Sequence, residues 1–270
     1  MTVRALTRRH RTTLLVVAAL AVGLMVALGI SRPWLPPAET APIAAAENGI
    51  PPAPLVLPEN PTVLVFGDSW TYGSAATPPT GGYAYLLAGL LGGETIVDGV
   101  RASGYLKPGL DGPDFGTRIG ALDPALDPDL VIIQGSINDR HVDLAALPAA
   151  VNTAWDALTA TYPDAAIVVL GPAPHQLPVG AKTATIDRDL ARLAAARGWW
   201  YISPVQEQWI TAANYLQLID VDAGRRHPSN AGHRYLAEKV AAALEGFRSA
   251  PVTEADGSLP QKPANPSSDR

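Results

Sequence analysis

Short apolar segments alternate with longer amphipathic segments through the middle of the chain. The apolar segments consist mostly of residues that favour β-strands, and they lie at 62–66, 95–97, 130–133, 166–170 and 199–202. Segments with helical length and pattern lie between and after them, at 83–91, 144–162, 182–197 and 230–247. Strands and helices in alternation predict a parallel sheet with helices on both faces. Because such sheets carry their active sites at the carboxyl ends of the strands, the pattern predicts an α/β fold with a site at that edge.

The amino-terminal end of the chain has a different character from its middle. Residues 12–30 contain no charged residue, and as a helix they would be about 28 Å long, close to the ~30 Å hydrocarbon core of a bilayer. Four arginines and no acidic residue precede this stretch, so the positive-inside rule places the amino terminus in the cytoplasm. We therefore expect residues 1–31 to be a basic tail plus a single-pass anchor of the cell membrane, with the rest of the chain extracytoplasmic.

A cleaved secretory signal peptide is the alternative for the same stretch. Small residues at 27–29 and at 41–46 could form its cleavage site. Both interpretations place the domain outside the cytoplasm, as a membrane-anchored or a secreted protein. The absence of cysteine excludes disulfides and thiol catalysis and suits an oxidising compartment.

Composition divides the remainder of the chain into three parts. Residues 32–61 are rich in proline and alanine and are expected to form an extended linker. Residues 62–248 are long enough for a single domain with a sizeable core, which we expect to be monomeric. Residues 249–270 have little apolar content and are expected to be disordered. The chain has a net charge of −5, so nucleic acid is not an expected partner.

Three polar residues follow apolar segments at positions suited to ester chemistry. Ser69 follows the first predicted strand in the sequence Phe-Gly-Asp-Ser, Asn138 follows the third, and His227 precedes the last helix. A serine hydroxyl becomes a nucleophile when a histidine takes its proton. An asparagine amide can stabilise the oxyanion that forms on the attacked carbonyl. The alternative roles are structural, with Ser69 as a helix cap and Asn138 in a turn that bonds its own backbone.

These blocks together resemble the SGNH (GDSL) hydrolase superfamily. Residues 66–69 match its first block, 136–139 its third, and 227–233 its last; residues 98–105 correspond loosely to the second. The Gly-x-Ser-x-Gly motif of α/β-hydrolases is absent from the chain. The resemblance implies a three-layer α/β sandwich with a flavodoxin-like, parallel five-stranded sheet. The similarity covers roughly residues 62–247.

The resemblance also implies roles for individual residues. Ser69 would be the nucleophile and His227 the base, and the oxyanion hole would consist of the Ser69 and Gly104 backbone N–H groups and the Asn138 side chain. Gly99 or the backbone of Ser103 could replace Gly104 if the second block is shifted. We expect Asp68 and Asp139 to stabilise turns and loops, and His233 to be a packing or surface residue.

The chain departs from the family pattern in two places. Ser136 stands where the third block usually has glycine. More importantly, the orienting aspartate usually lies three residues before the histidine, and that position is Gly224 here. We expect Asp222 to take its place, by fixing the imidazole tautomer of His227. The alternative is a Ser-His dyad in which a backbone carbonyl of residues 222–224 orients the ring. Asp220 is a second available carboxylate, seven residues before His227.

The predicted function is therefore that of an extracytoplasmic serine esterase or acylhydrolase of the lipase, deacylase or acetylesterase type. Its substrate would be an ester of a lipid or an acylated glycan. Two alternatives are acyl transfer to envelope glycans and a non-catalytic envelope-binding module. We expect no cofactor and no metal, because His227 and His233 lie six residues apart and no carboxylate or cysteine spacing completes a metal site.

Overall fold

The computed structural model describes residues 52–248. The predicted membrane segment at 12–30, most of the linker and the tail at 249–270 lie outside the described residues. Among residues 52–248, no helix combines the length and the apolar character needed to cross a bilayer.

Five parallel strands form the central sheet. They are β1 (Thr62–Gly67), β2 (Glu94–Gly99), β3 (Leu130–Gln134), β4 (Ala166–Leu170) and β5 (Trp200–Ile202). Their order is β2-β1-β3-β4-β5, and every pairing within the sheet is parallel. The expected α/β fold with a five-stranded parallel sheet is confirmed.

Helices cover both faces of this sheet. They are α1 (Ser69–Tyr72), α2 (Tyr83–Leu91), α3 (Phe115–Ile119), α4 (Leu147–Thr161), α5 (Ala181–Ala196), α6 (Tyr215–Leu218) and α7 (Asn230–Arg248). Alternate residues of a strand point to opposite faces. Val63 and Val65 of β1 therefore pack toward α2 and α7, while Leu64 and Phe66 pack toward α3, α4 and α5. The result is the predicted three-layer sandwich with a core on each side of the sheet.

The folded unit begins before the predicted boundary at residue 62. Leu55 is 2% exposed and lies in the core beside α7. Its backbone N–H donates a hydrogen bond to the Phe247 carbonyl at 3.0 Å. Burial of this one side chain ties the end of the predicted linker to the last helix.

A second, two-stranded sheet carries the segment that leads to α7. Strand β6 (Ile219–Asp220) pairs antiparallel with β7 (His227–Pro228). The connecting loop, 221–226, contains two consecutive residues in the left-handed region, Arg225 with φ +50° and Arg226 with φ +65°. This turn presents His227 to the carboxyl edge of the main sheet, where β1 and β3 end.

Candidate active site

Ser69 lies on a tight turn between β1 and α1. The Asp68 carboxylate caps the helix by accepting the Trp70 N–H at 2.9 Å. Gly67 makes the turn possible, since a Cβ there would lie 2.3 Å from Thr71 Oγ1 and 2.9 Å from the backbone oxygen of Gln134. The Ser69 side chain is mostly buried but borders an open cleft.

His227 contacts this serine directly. Its Nε2 atom lies 2.9 Å from Ser69 Oγ, and its Nδ1 atom lies 2.7 Å from the carbonyl oxygen of Gly224. A carbonyl oxygen can only accept, so Nδ1 carries the proton and Nε2 is left to accept the serine hydroxyl. The pair therefore has the tautomer that a general base requires.

The structure corrects the prediction that Asp222 orients His227. Asp222 is exposed, its backbone N–H donates to Asp220 Oδ1 at 3.1 Å, and it lines a separate groove formed with residues 176–180. The turn through Arg225 instead directs the Gly224 carbonyl onto Nδ1. The dyad alternative is the arrangement that the structure contains.

Burial and charge both disfavour the imidazolium form of His227. Desolvation is the main cause that lowers its pKa below 6.5, and the positive charge of Arg140 lowers it further. The hydrogen bond to Gly224 opposes this shift in part. The ring is therefore neutral, and able to accept a proton, at neutral pH.

Asn138 lines the same cleft as Ser69 and His227. It lies in a 3₁₀ turn (Ile137–His141) that follows β3. Its Nδ2 atom donates to the Ser103 carbonyl at 2.9 Å and approaches Asp68 Oδ2 at 3.4 Å. These contacts hold the amide nitrogen at the cleft that Ser69 and His227 also line.

Gly104 does not face the cleft, contrary to the prediction for the oxyanion hole. Its N–H donates to the Lys107 carbonyl at 2.9 Å, and the residue is packed against the Asp139 carboxylate, which a Cβ would meet at 2.4 Å. The alternative Ser103 is also engaged, since its N–H donates to the Val100 carbonyl at 3.3 Å.

Ala102, two residues before Gly104, does line the cleft. Its φ is +62°, and its N–H has no acceptor among residues 52–248. The carbonyl of the same residue accepts from Lys107 Nζ at 3.1 Å, which fixes the peptide unit that follows. Sequence reasoning missed this residue because a left-handed alanine leaves no compositional signal, whereas glycine does.

The Ser69 N–H likewise has no acceptor within the described part of the chain. Ser69 begins α1, and the first N–H groups of a helix have no acceptor within it. Ser69 and Ala102 both line the cleft, as Asn138 does.

Asp139 supports the loop that carries Ala102. Its carboxylate accepts the backbone N–H groups of Tyr105 at 2.8 Å and Leu106 at 3.0 Å, and it also accepts the Ser136 hydroxyl. Ser136 thus makes a bond that the usual glycine could not. The expected role of Asp139 as a loop stabiliser agrees with these contacts.

Asp68, which precedes Ser69, is fully buried. Burial is the largest influence on its carboxyl group and raises the pKa to about 7, although the Trp70 N–H and the charges of Arg118 and Arg140 act in the opposite direction. Besides capping α1, Asp68 contacts Asn138, with 3.4 Å between Asp68 Oδ2 and the amide nitrogen Nδ2.

Arg118, which no motif in the sequence marks, joins the strand ends beneath the site. Its guanidinium donates to the Gly67 carbonyl at 3.0 Å and to Ser103 Oγ at 3.1 Å, and it pairs with Asp98 at 2.7 Å. It also lies 4.1 Å from the ring centroid of Phe66. The buried Arg118 guanidinium therefore links the turn that carries Ser69 to the loop that carries Ala102.

His233 is a buried packing residue that fixes one wall of the cleft. Its Nδ1 atom accepts the Tyr83 N–H at 3.2 Å, and its Nε2 atom donates to the Ser74 carbonyl at 3.0 Å. Residues 73–76 and 79, which line the cleft, belong to the segment held in this way. No group of metal-ligating side chains occurs among residues 52–248.

The cleft has a volume of about 610 Å³. Small side chains form much of its wall, and Tyr72 and the exposed Leu110 supply its larger apolar surfaces. Arg101 and Arg225 also line it.

Two comparisons with known proteins point to the same family. The model of the GDSL-like lipase/acylhydrolase family matches residues 65–235. GDSL lipase Rv0518 of Mycobacterium tuberculosis is 30% identical over 190 residues, which cover 66% of this chain and 79% of the relative.

Two solved structures share the fold. The M. smegmatis aryl esterase has a TM-score of 0.54 at 19% identity, with 69% of this chain and 99% of the other covered. A family two carbohydrate esterase from Cellvibrio japonicus has a TM-score of 0.54 at 19% identity, with 72% and 63% covered.

Proposed function

Because the chain belongs to the GDSL-like lipase/acylhydrolase family and is an ester-hydrolysing enzyme, we propose that it works through an acyl-enzyme on Ser69 with His227 as the base. The observation that carries this proposal is the 2.9 Å contact between Ser69 Oγ and His227 Nε2 at the edge of an open cleft. A hydroxyl already bonded to a neutral imidazole can transfer its proton as it attacks.

In the acylation step, Ser69 Oγ attacks the ester carbonyl carbon while its proton passes to His227 Nε2. The tetrahedral intermediate collapses when the alcohol leaves with that proton, and the acyl group remains on the serine. Water then attacks the acyl-enzyme, with His227 again taking and returning one proton. The products are the free acid and the regenerated serine.

The developing oxyanion is stabilised by the Ser69 N–H, the Ala102 N–H and the Asn138 amide. The first two have no acceptor among the described residues. The 3.4 Å contact between Asn138 and Asp68 is long enough to be exchanged for a substrate oxygen. Donors fixed before the reaction need no reorganisation as charge develops.

A backbone carbonyl takes the place of the orienting carboxylate in this scheme. The Gly224 carbonyl fixes the His227 tautomer as well as a carboxylate would, but as a neutral group it stabilises the imidazolium less. The acylation barrier therefore depends more on the oxyanion donors than it does in a complete triad.

We further propose that the enzyme acts outside the cytoplasm. The support is the uncharged stretch at 12–30 with its preceding arginines. Fractionation of cells that express the full chain should place it with membranes, and external protease should release the domain. A wholly soluble pool with a new amino terminus after residue 29 or 46 would instead indicate a cleaved signal, and a cytoplasmic pool would refute the proposal.

Labelling with a serine-directed phosphonate tests the chemistry. The wild-type protein should be labelled on Ser69 and should hydrolyse 4-nitrophenyl esters, and Ser69→Ala should lose both properties while keeping its circular dichroism spectrum. Hydrolysis by the alanine variant at near the wild-type rate would overturn the assignment. A chain-length series of the same esters distinguishes an acetylesterase from a lipase.

A further inference from the structure

The charged side chains that line the cleft are all of one sign. Arg101 and Arg225 line it, and no aspartate or glutamate among residues 52–248 does so. This does not follow from composition, since the chain carries 25 acidic residues against 20 basic ones. A cleft lined by one sign of charge concentrates ligands of the opposite sign.

Arg225 has an unpaired guanidinium at the catalytic edge. It is exposed, and within residues 52–248 its side chain makes no hydrogen bond, ion pair or ring contact. It follows Gly224, whose carbonyl orients the base, and it lies two residues before His227. Arg225 therefore lines the same cleft as Ser69 and His227.

Arg101 supplies a second, fixed cation on the same cleft. Asp111 holds it through two bonds, 2.6 Å to Nε and 2.9 Å to an Nη atom, and the guanidinium lies 5.3 Å from the ring centroid of Tyr72. Because Asp111 neutralises part of its charge, Arg101 should contribute less than Arg225.

We propose that Arg225, with a smaller contribution from Arg101, selects esters that carry an anionic oxygen group close to the scissile bond. Guanidinium groups bind carboxylates and phosphates in paired hydrogen bonds. The substrate class is thus an anionic ester, with the charge on either the acyl or the alcohol part. This inference rests on the proposed function of Ser69.

The test uses two matched pairs of substrates. Mono-4-nitrophenyl adipate against 4-nitrophenyl hexanoate places the charge on the acyl side. Dihexanoylphosphatidylglycerol against 1,2-dihexanoylglycerol, which has no phosphate, places the charge on the alcohol side. In at least one pair the wild-type enzyme should have a kcat/KM about tenfold higher for the anionic ester, which corresponds to ~1.4 kcal/mol. The pair that shows this preference identifies whether the acyl or the alcohol part of the substrate carries the charge.

Three variants connect this preference to the residues. Arg225→Gln should remove most of it, and Arg101→Gln should reduce it less. Each variant is judged by the ratio of kcat/KM within a substrate pair, so that a change in turnover common to both members cancels. Arg188→Gln, an exposed arginine on α5 outside the cleft, should leave the preference unchanged. Higher ionic strength should weaken the preference, because salt screens exposed charges.

The two levels of the proposal fail in different ways. Equal turnover of both members in both pairs, or a preference that survives Arg225→Gln, would overturn the anion selectivity alone. Hydrolysis that survives Ser69→Ala would overturn the proposed function itself.

Discussion

The carbonyl oxygen of Gly224 accepts a hydrogen bond from Nδ1 of His227 at 2.7 Å. This contact replaces the one that a carboxylate makes in a Ser-His-Asp triad, and it comes from three residues earlier in the same loop. It fixes the ring without placing a negative charge beside it. The site therefore has a dyad whose base is oriented by the backbone.

Replacing the nearby carboxylates should have little effect on turnover. Asp222→Asn and Asp220→Asn should each lower kcat by less than about tenfold, or ~1.4 kcal/mol, because neither carboxylate is hydrogen-bonded to the His227 ring. Steady-state kinetics on a nitrophenyl ester measure this. A loss of several orders of magnitude in Asp222→Asn would show that the loop rearranges in the working enzyme.

Gly224→Ala should be more harmful than either of those changes. The added Cβ would lie 2.5 Å from the Cβ of Asp220 and 2.8 Å from that of Ala75, so the loop must shift and the carbonyl with it. We expect kcat to fall by more than about tenfold, with a smaller change in KM. Activity equal to that of Asp222→Asn would argue against a role for the carbonyl.

Asn138→Ala should lower kcat by about 10²- to 10³-fold, the usual cost of removing one oxyanion donor. The thermal midpoint checks that the fold is intact, since the half-buried amide also bonds the Ser103 carbonyl. Asn138→Asp should be at least as inactive, because a carboxylate would repel the oxyanion. Near-normal turnover in the alanine variant would exclude Asn138 from the oxyanion hole.

Ala102 provides a backbone test of the same hole. Ala102→Gly relieves the left-handed conformation at φ +62° and keeps the N–H, so activity should be retained. Ala102→Val should lose activity, because a β-branched residue is strongly disfavoured there. Equal kcat/KM in the two variants would indicate that the position of this N–H does not matter.

His233 should couple stability to pH. Desolvation lowers its pKa in the folded state, so as pH falls below 6.5 the unfolded chain binds a proton before the folded one does. Its stabilising contribution is thus complete above pH 6.5 and declines below it. His233→Ala should cost about 1–3 kcal/mol near pH 7.5 by leaving the Tyr83 N–H and the Ser74 carbonyl unpaired.

Urea denaturation at pH 7.5 and 5.5 measures this coupling. The difference between wild type and His233→Ala should be smaller at the lower pH. The exposed His141 serves as the control, since His141→Ala should change stability little at either pH. A difference that is constant with pH would mean that His233 does not titrate as expected.

Local patterns in the sequence were sufficient for the fold. Apolar runs and amphipathic periods depend on neighbouring residues, so the strands and the parallel sheet could be predicted from them. Ser69, Asn138 and His227 were candidates because three distant blocks together resemble one family, and the structure brings them to one cleft. The left-handed Ala102, by contrast, resembles any other alanine in the sequence.

Tertiary structure decided which atoms meet at the site. Asp222 and the Gly224 carbonyl are both close to His227 along the chain, and only the path of the loop through Arg225 selects the carbonyl. Arg118 joins the end of β1, 51 residues away, to that of β2, 20 residues away. Composition and periodicity determine which elements form, whereas hydrogen-bond partners depend on backbone angles and long-range packing that a single sequence does not display.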